Sequence, residues 1–487
     1  MSTSTMTKKI MLSLHRITGT IIALFFAMWF LTGLVLLYHS YPRLSDSDIH
    51  GHQETLSDSL PDVEKLTSSF GDSLKGLTIR EFQAQTLADI SLADTTITLC
   101  ADSASTLKPV TFHTAMQVAR QWVNAPVGRV DTLYERAQWI LYSRYEDNLP
   151  IYRFFFNDHE QHQLYMDKQT AEVLQLTNRD SRFWAWVGAI PHKLYFPLIR
   201  KDADVWKWTI TIGGLFCLLA AISGMYVGID ALLHRYRTKK RWESPYKKWT
   251  YKWHHLLGLV FGIFIIAWGL SGMMAMQRIP KWLVPMEGDY FFRESKMWNN
   301  RNMLPLADYN LDYRKLKATY PDLKQVTWTR IGSIPVYRIV NGNEEICINA
   351  ADTTIAELNI PIADVERAVR KMHGDSVLFT VTTMNSYDEY YLSRDHSLQL
   401  PVYKVDIHNT DKTTYYINPK NGETKYFTSN KRVKKWVFSG IHYLNIKWFV
   451  EHPLCWTIII WLLCLGGAFV SLTGALLGIK YLKRILF

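Results

Sequence analysis

Four stretches of this 487-residue chain are long, apolar and nearly free of charge: 17–38, 208–233, 256–276 and 455–479. Each reaches the roughly 20 apolar residues that cross a bilayer as a helix. A helix of that length buried in a water-soluble protein normally keeps a polar face, and these stretches have none. The first is preceded by Lys8 and Lys9. It is nevertheless longer than the apolar core of a secretory signal, and no small-residue cleavage site follows it, so it reads as an uncleaved anchor.

The formal charge of +11 is not a nucleic-acid signature, because it gathers beside the apolar stretches. The link between the second and third carries Arg235, Arg237, Lys239, Lys240, Arg241, Lys247, Lys248 and Lys252 against Glu243. The positive-inside rule puts this link and both termini in the cytoplasm, and the connections 41–205 and 279–452 on the outer side. The expected organisation is therefore as follows: 1–40, N-terminus and helix; 41–205, first outer domain; 206–234, helix; 235–253, basic loop; 254–278, helix; 279–452, second outer domain; 453–487, helix and C-terminus. Of the five cysteines, Cys217, Cys455 and Cys464 fall in apolar helices, which suits packing. Cys100 and Cys347 lie in different outer domains and pair only if those domains dock closely. No CxxC or CxxCH motif is present, so covalent haem attachment and a zinc ribbon lack support.

The chain also repeats itself. His15, Gly19, Trp29 and Gly33 recur at the same spacing as His254, Gly258, Trp268 and Gly272. Trp186, His192, Leu194, Trp206, Gly224 and Gly228 recur as Trp436, His442, Leu444, Trp456, Gly474 and Gly478. Two parallel copies imply a pseudo-two-fold axis along the membrane normal. His15 and His254 then share one depth near the cytoplasmic face, and His192 and His442 share another near the outer face. A histidine near lipid needs a partner, and paired imidazoles suit a metal such as iron. For a single histidine at a helix end, a bond to water or to a carbonyl is the commoner explanation; the doubled pattern favours ligation. His39, His234 and His255 align with Arg278, Arg484 and Arg16, so they break the symmetry. His39 is the substitute ligand if an outer histidine fails, and His255 and Arg16 suit carboxylate partners. The repeated glycines let helices approach closely or leave room for a flat macrocycle. Trp29 and Trp268 face lipid or pack between the two sites.

Outside the apolar stretches, Pro150-Ile151-Tyr152-Arg153-Phe154 recurs as Pro401-Val402-Tyr403-Lys404-Val405, and Tyr165-Met166-Asp167-Lys168 as Tyr416-Ile417-Asn418-Pro419. These are strand-turn-strand signals, with a tight turn at Asn421-Gly422. Pro335-Val336-Tyr337-Arg338 suggests a further strand. Helical spacing over 114–123 and 364–372 precedes each hairpin, with Thr114 and Asp364 as N-caps. Each outer domain is thus expected to be α+β. The segment 45–72 is polar and serine-rich and reads as a loose connection.

The His-Arg-x-x-Gly entry to a helix, the Thr-Gly near its far end, and the Pro-Val-Tyr-Arg and Tyr-x-(Asp/Asn) strands resemble the PepSY-associated transmembrane family over nearly the whole chain. The resemblance implies a membrane α+β fold: a duplicated two-helix unit, each copy carrying an outer PepSY-like domain. It also implies a bacterial inner-membrane protein whose outer domains are periplasmic, holding two b-type haems through His15, His254, His192 and His442. The implied activity is that of an oxidoreductase carrying electrons to a ferric siderophore or similar iron complex. The chain has no dinucleotide fingerprint, so the donor is expected to be a quinone or a separate reductase. Two other classes compete: a regulatory or assembly protein that uses its PepSY domains without redox chemistry, and a transport accessory.

Overall fold

A computed structural model describes residues 3–93, 95–101, 105–106, 110–288, 291–298 and 304–486. The four apolar stretches form long helices: Thr3–Leu36, Ala203–Lys239, Trp249–Ala275 and Pro453–Leu486. All four are long and apolar enough to cross a membrane. The first and third each pack against the second and fourth, so the bundle is a ring in which like-numbered halves face each other across the middle. Ile22, Phe26, Phe30, Cys217, Ala220, Ile265, Ala468 and Val470 fill its interior. Small residues set the approach of the helices. A Cβ on Gly467 would lie 2.6 Å from the Phe30 ring, and one on Gly214 would lie 2.9 Å from Met273 Cβ. The start of the first long helix, the end of the fourth and the basic link lie at one end of this bundle, the termini end. The strands lie at the other, the sheet end.

Among the described residues the strands form three antiparallel sheets. Two are four-stranded and run in chain order. One contains Val127–Leu133, Ile151–Phe156, Gln163–Asp167 and Val173–Thr177. The other contains Phe379–Met384, Val402–Ile407, Thr414–Ile417 and Thr424–Phe427. Their central hairpins share a register: Tyr152 faces Met166 in one, and Tyr403 faces Ile417 in the other. A helix covers each. Ala115, Val118 and Ala119 of Phe112–Trp122 pack on Phe154, Leu164 and Met166. Val365, Ala368 and Val369 of Ile362–His373 pack on Val405, Tyr415 and Ile417. The caps differ from expectation. Thr111, not Thr114, accepts from the Thr114 N–H. Pro361 precedes the second helix with no side-chain cap, and Asp364 pairs instead with Arg367 one turn on.

The third sheet joins the two long connections. Its seven strands run Glu344–Asn349, Ile334–Asn341, Leu323–Ile331, Gly76–Phe82, Gln85–Ser91, Thr96–Cys100 and Ser105–Thr106. At the seam Leu77 faces Trp328 and Ile79 faces Val326, all four buried. Two self-contained α+β units leave out this shared sheet. It also decides the cysteines. Cys100 and Cys347 sit five strand spacings of about 4.8 Å apart, far beyond disulfide reach, and all five cysteines are free. The segment 45–72 is not a loose connection. Ser45 and Asp48 form a capping box on Asp46–His52, and Asp62 caps Val63–Thr67. The polar residues there serve as caps, and they let Leu56 and Leu66 reach the core under the shared sheet.

Candidate functional site: two pairs of histidines

His15 and His254 lie on the first and third long helices, one turn above the basic link. Their ring centroids are 6.1 Å apart. At the sheet end, His192 lies on the short helix Ala189–Lys193 and His442 on Ile441–Tyr443. Their centroids are 6.3 Å apart. The fold thus brings together both pairs that the repeat selected.

Each imidazole is fixed in the same manner. His15 Nδ1 donates to Ala220 O (2.9 Å), and His254 Nδ1 sits 3.1 Å from both Val470 O and Thr473 Oγ1. His192 Nδ1 donates to Trp29 O (3.1 Å), and His442 Nδ1 lies 3.0 Å from Ser271 Oγ. A backbone carbonyl on Nδ1 of His15, His192 and His254 places the ring proton there and leaves Nε2 as a lone pair; at His442 the Ser271 hydroxyl donates to Trp268 O (3.2 Å), so its oxygen is free to accept from Nδ1 in the same way. Burial lowers the pKa of His192 to about 4. Burial, with the neighbouring His192, lowers that of His442 to about 3. Both are therefore neutral at pH 7, the form that binds a metal.

A glycine on a neighbouring helix backs every ring. A Cβ on Gly224 would come within 2.6 Å of His15 Cε1, and one on Gly474 within 3.2 Å of His254 Cε1. A Cβ on Gly33 would meet His192 Cε1 at 3.2 Å, and one on Gly272 would meet His442 Cε1 at 3.5 Å. Gly19 and Gly258 behave differently. Each lies one turn from its histidine, and a Cβ there would meet nothing within 4 Å. Four of these glycines thus lie against an imidazole, and two have no protein atom beside them.

Between the sheet-end rings lies a cavity of about 370 Å³, lined by His192, His442, Gly33, Gly272, Trp29 and Trp268 among others. Trp268 donates to Ile441 O (3.1 Å), while the buried Trp29 Nε1 has no hydrogen-bond partner. These two tryptophans therefore face the site.

The remaining sequence candidates join neither pair. His255 is buried with both ring nitrogens engaged, Nδ1 by Ser244 Oγ (3.0 Å) and Nε2 by Gly228 O (2.9 Å); it ties the basic link to the second long helix. Arg16 is exposed, its guanidinium 5.9 Å from the centre of the Tyr481 ring. His39 stacks on Trp184 at 4.1 Å. His234 is exposed near the end of the second long helix. Sequence reading missed the short-helix geometry at the sheet end, where a π-helical turn over Lys435–Gly440 precedes His442.

Two metal–imidazole bonds of about 2 Å each, with half a ring at either end, add to about 6 Å between ring centres. Both pairs have this spacing. Among the described residues no group of three or more His, Cys, Asp or Glu gathers to hold a metal ion. Each pair presents two imidazoles, a donor set that would suit a metal bringing its other ligands with it, as the iron of a porphyrin does.

Four apolar helices and antiparallel sheets define a membrane α+β protein, and its helices bring two pairs of histidines together. The model of the PepSY-associated TM region matches residues 12–484, and the chain belongs to that family. Among curated proteins, no similar sequence was found.

Proposed function

We propose that this chain carries electrons across a bacterial inner membrane through two b-type haems, held by His15 with His254 and by His192 with His442. The observation that carries this reading is the pair of ring separations, 6.1 and 6.3 Å, each with Nδ1 anchored. Bound haem supplies one-electron chemistry at a potential set by its axial ligands and by burial. The residues do the rest. The Nδ1 acceptors orient each ring, the backing glycines let it lie against a helix, and Gly19 and Gly258 leave space beside it. Helix rise puts roughly 20 Å between the two levels; Phe26 and Phe30 pack between them.

In this reading the chain is a duplicated two-helix unit with PepSY-like domains on the outside. The basic link and the termini face the cytoplasm, as the positive-inside rule asks. Electrons enter at the termini end from a quinone or a reductase and leave at the sheet end to a ferric siderophore or similar iron complex. Reduction frees the iron, because hard oxygen ligands hold Fe(II) less tightly than Fe(III).

The purified chain should show a reducible bis-histidine b-type spectrum and two haems per chain by pyridine extract. Folded protein from haem-replete cells without a Soret band would sink the reading. Gly224→Val is expected to displace His15 and to lower haem content by about half.

A further inference from the structure

Each sheet-end histidine lies on a helix of about one turn that ends in a left-handed leucine: Leu194 (φ 52°, ψ 46°) after His192, and Leu444 (φ 50°, ψ 38°) after His442. A non-glycine residue in that region is disfavoured and persists only where its surroundings hold it. The same holder is found twice. Trp206 Nε1 donates to Lys193 O at 2.7 Å, and Trp456 Nε1 donates to Tyr443 O at 2.9 Å. Each carbonyl belongs to the residue between a histidine and its left-handed leucine. Each indole stands in the first turns of the second or fourth long helix, so it ties the histidine's turn to the bundle.

A guanidinium lies on each indole: Arg200 at 4.4 Å from the Trp206 ring centre and Arg394 at 3.9 Å from that of Trp456. These arginines do not occupy matching positions. Arg200 lies just before the second long helix, whereas Arg394 reaches over from the connection between strands Phe379–Met384 and Val402–Ile407. Arg394 also donates to Leu444 O (3.3 Å) and Phe449 O (3.5 Å). The same stack is thus built from two non-equivalent sources. Bulk anchoring at a membrane interface requires neither the arginine nor the carbonyl bond.

We infer that Trp206 and Trp456, each clamped by its arginine, are positioning residues that hold the sheet-end imidazoles in line for axial ligation. The inference rests on the two-haem reading above. Its consequence is local. Losing a clamp loosens one axial ligand at the sheet end and leaves the termini end alone.

The test compares wild type with Trp206→Phe and Trp456→Phe, which keep a ring and remove the N–H. Reduced wild type should take up no carbon monoxide, because both axial positions of each haem are filled. Each variant should keep two haems and bind carbon monoxide at up to half of them, with the midpoint potential of that haem shifted and the other unmoved. Variants that keep both haems, exclude carbon monoxide and show wild-type potentials overturn the inference. Where a tryptophan variant does not accumulate, Arg394→Gln decides it: a smaller shift in the same direction supports the clamp, and none overturns it. Wild type without haem would instead overturn the underlying reading.

Discussion

If the chain holds the two haems proposed above, His442→Ala should remove the sheet-end one and spare the other. His442 supplies one half of a pair whose centroids are 6.3 Å apart, and among the described residues no other histidine stands ready to replace it: His39 is stacked on Trp184. With its cavity apolar apart from a few donors, a single remaining imidazole is a weak hold for a macrocycle. Haem content should fall by about half, and reduced-minus-oxidised spectra should lose one of two components. His192→Ala should give the same spectrum, since both remove the same haem, and His15→Ala should remove the complementary component. The double variant His192→Ala/His442→Ala should lose no more haem than either single one. Additive loss would show that the two residues serve different groups, and the pairing would fail. Electron flow to any acceptor at the sheet end should drop by orders of magnitude in all of these, because the route is in series.

The histidine pairs were legible because the chain states them twice. One imidazole at a helix end carries little information; His15 and His254 at matched spacing from Gly19 and Gly258 carry a depth and a partner. The four spans were legible from length and apolarity alone. The repeated Pro-x-Tyr segments marked two matching hairpins, whose common register only the fold gives. What stayed hidden was non-local. Alternation at Leu77 and Ile79 marks a strand with one buried face, but nothing in it points to Val326 and Trp328, some 250 residues on, as the partners. The helices of 45–72 were hidden by their caps, whose polar residues look like a loop when read one at a time. Trp206 and Trp456 were visible as a matched pair, but the Lys193 and Tyr443 carbonyls they serve are fixed only by the fold. His255 reads in sequence as a partner for a carboxylate, yet the fold takes up both of its ring nitrogens, with Ser244 Oγ and Gly228 O.

The shared sheet makes the second large prediction, this one on stability. Trp328 is buried at the seam, edge-on to Tyr313 at 4.8 Å and to Tyr337 at 5.1 Å between centroids. Trp328→Ala empties the largest side chain of that strand and should cost about 3–5 kcal/mol. Leu77→Ala, on the facing strand from the other connection, should cost about 2–5 kcal/mol. Urea titration of protease susceptibility in detergent reads both losses. The informative quantity is their coupling. Contacting residues in one core show interaction energies of about 0.5–3 kcal/mol, whereas distant ones add within about 0.5 kcal/mol. Leu77 and Trp328 are register partners, so the double variant should be less destabilised than the sum of the singles. Strict additivity would mean that the two connections fold as separate bodies. Coupling would mean that the two connections share one core at this seam.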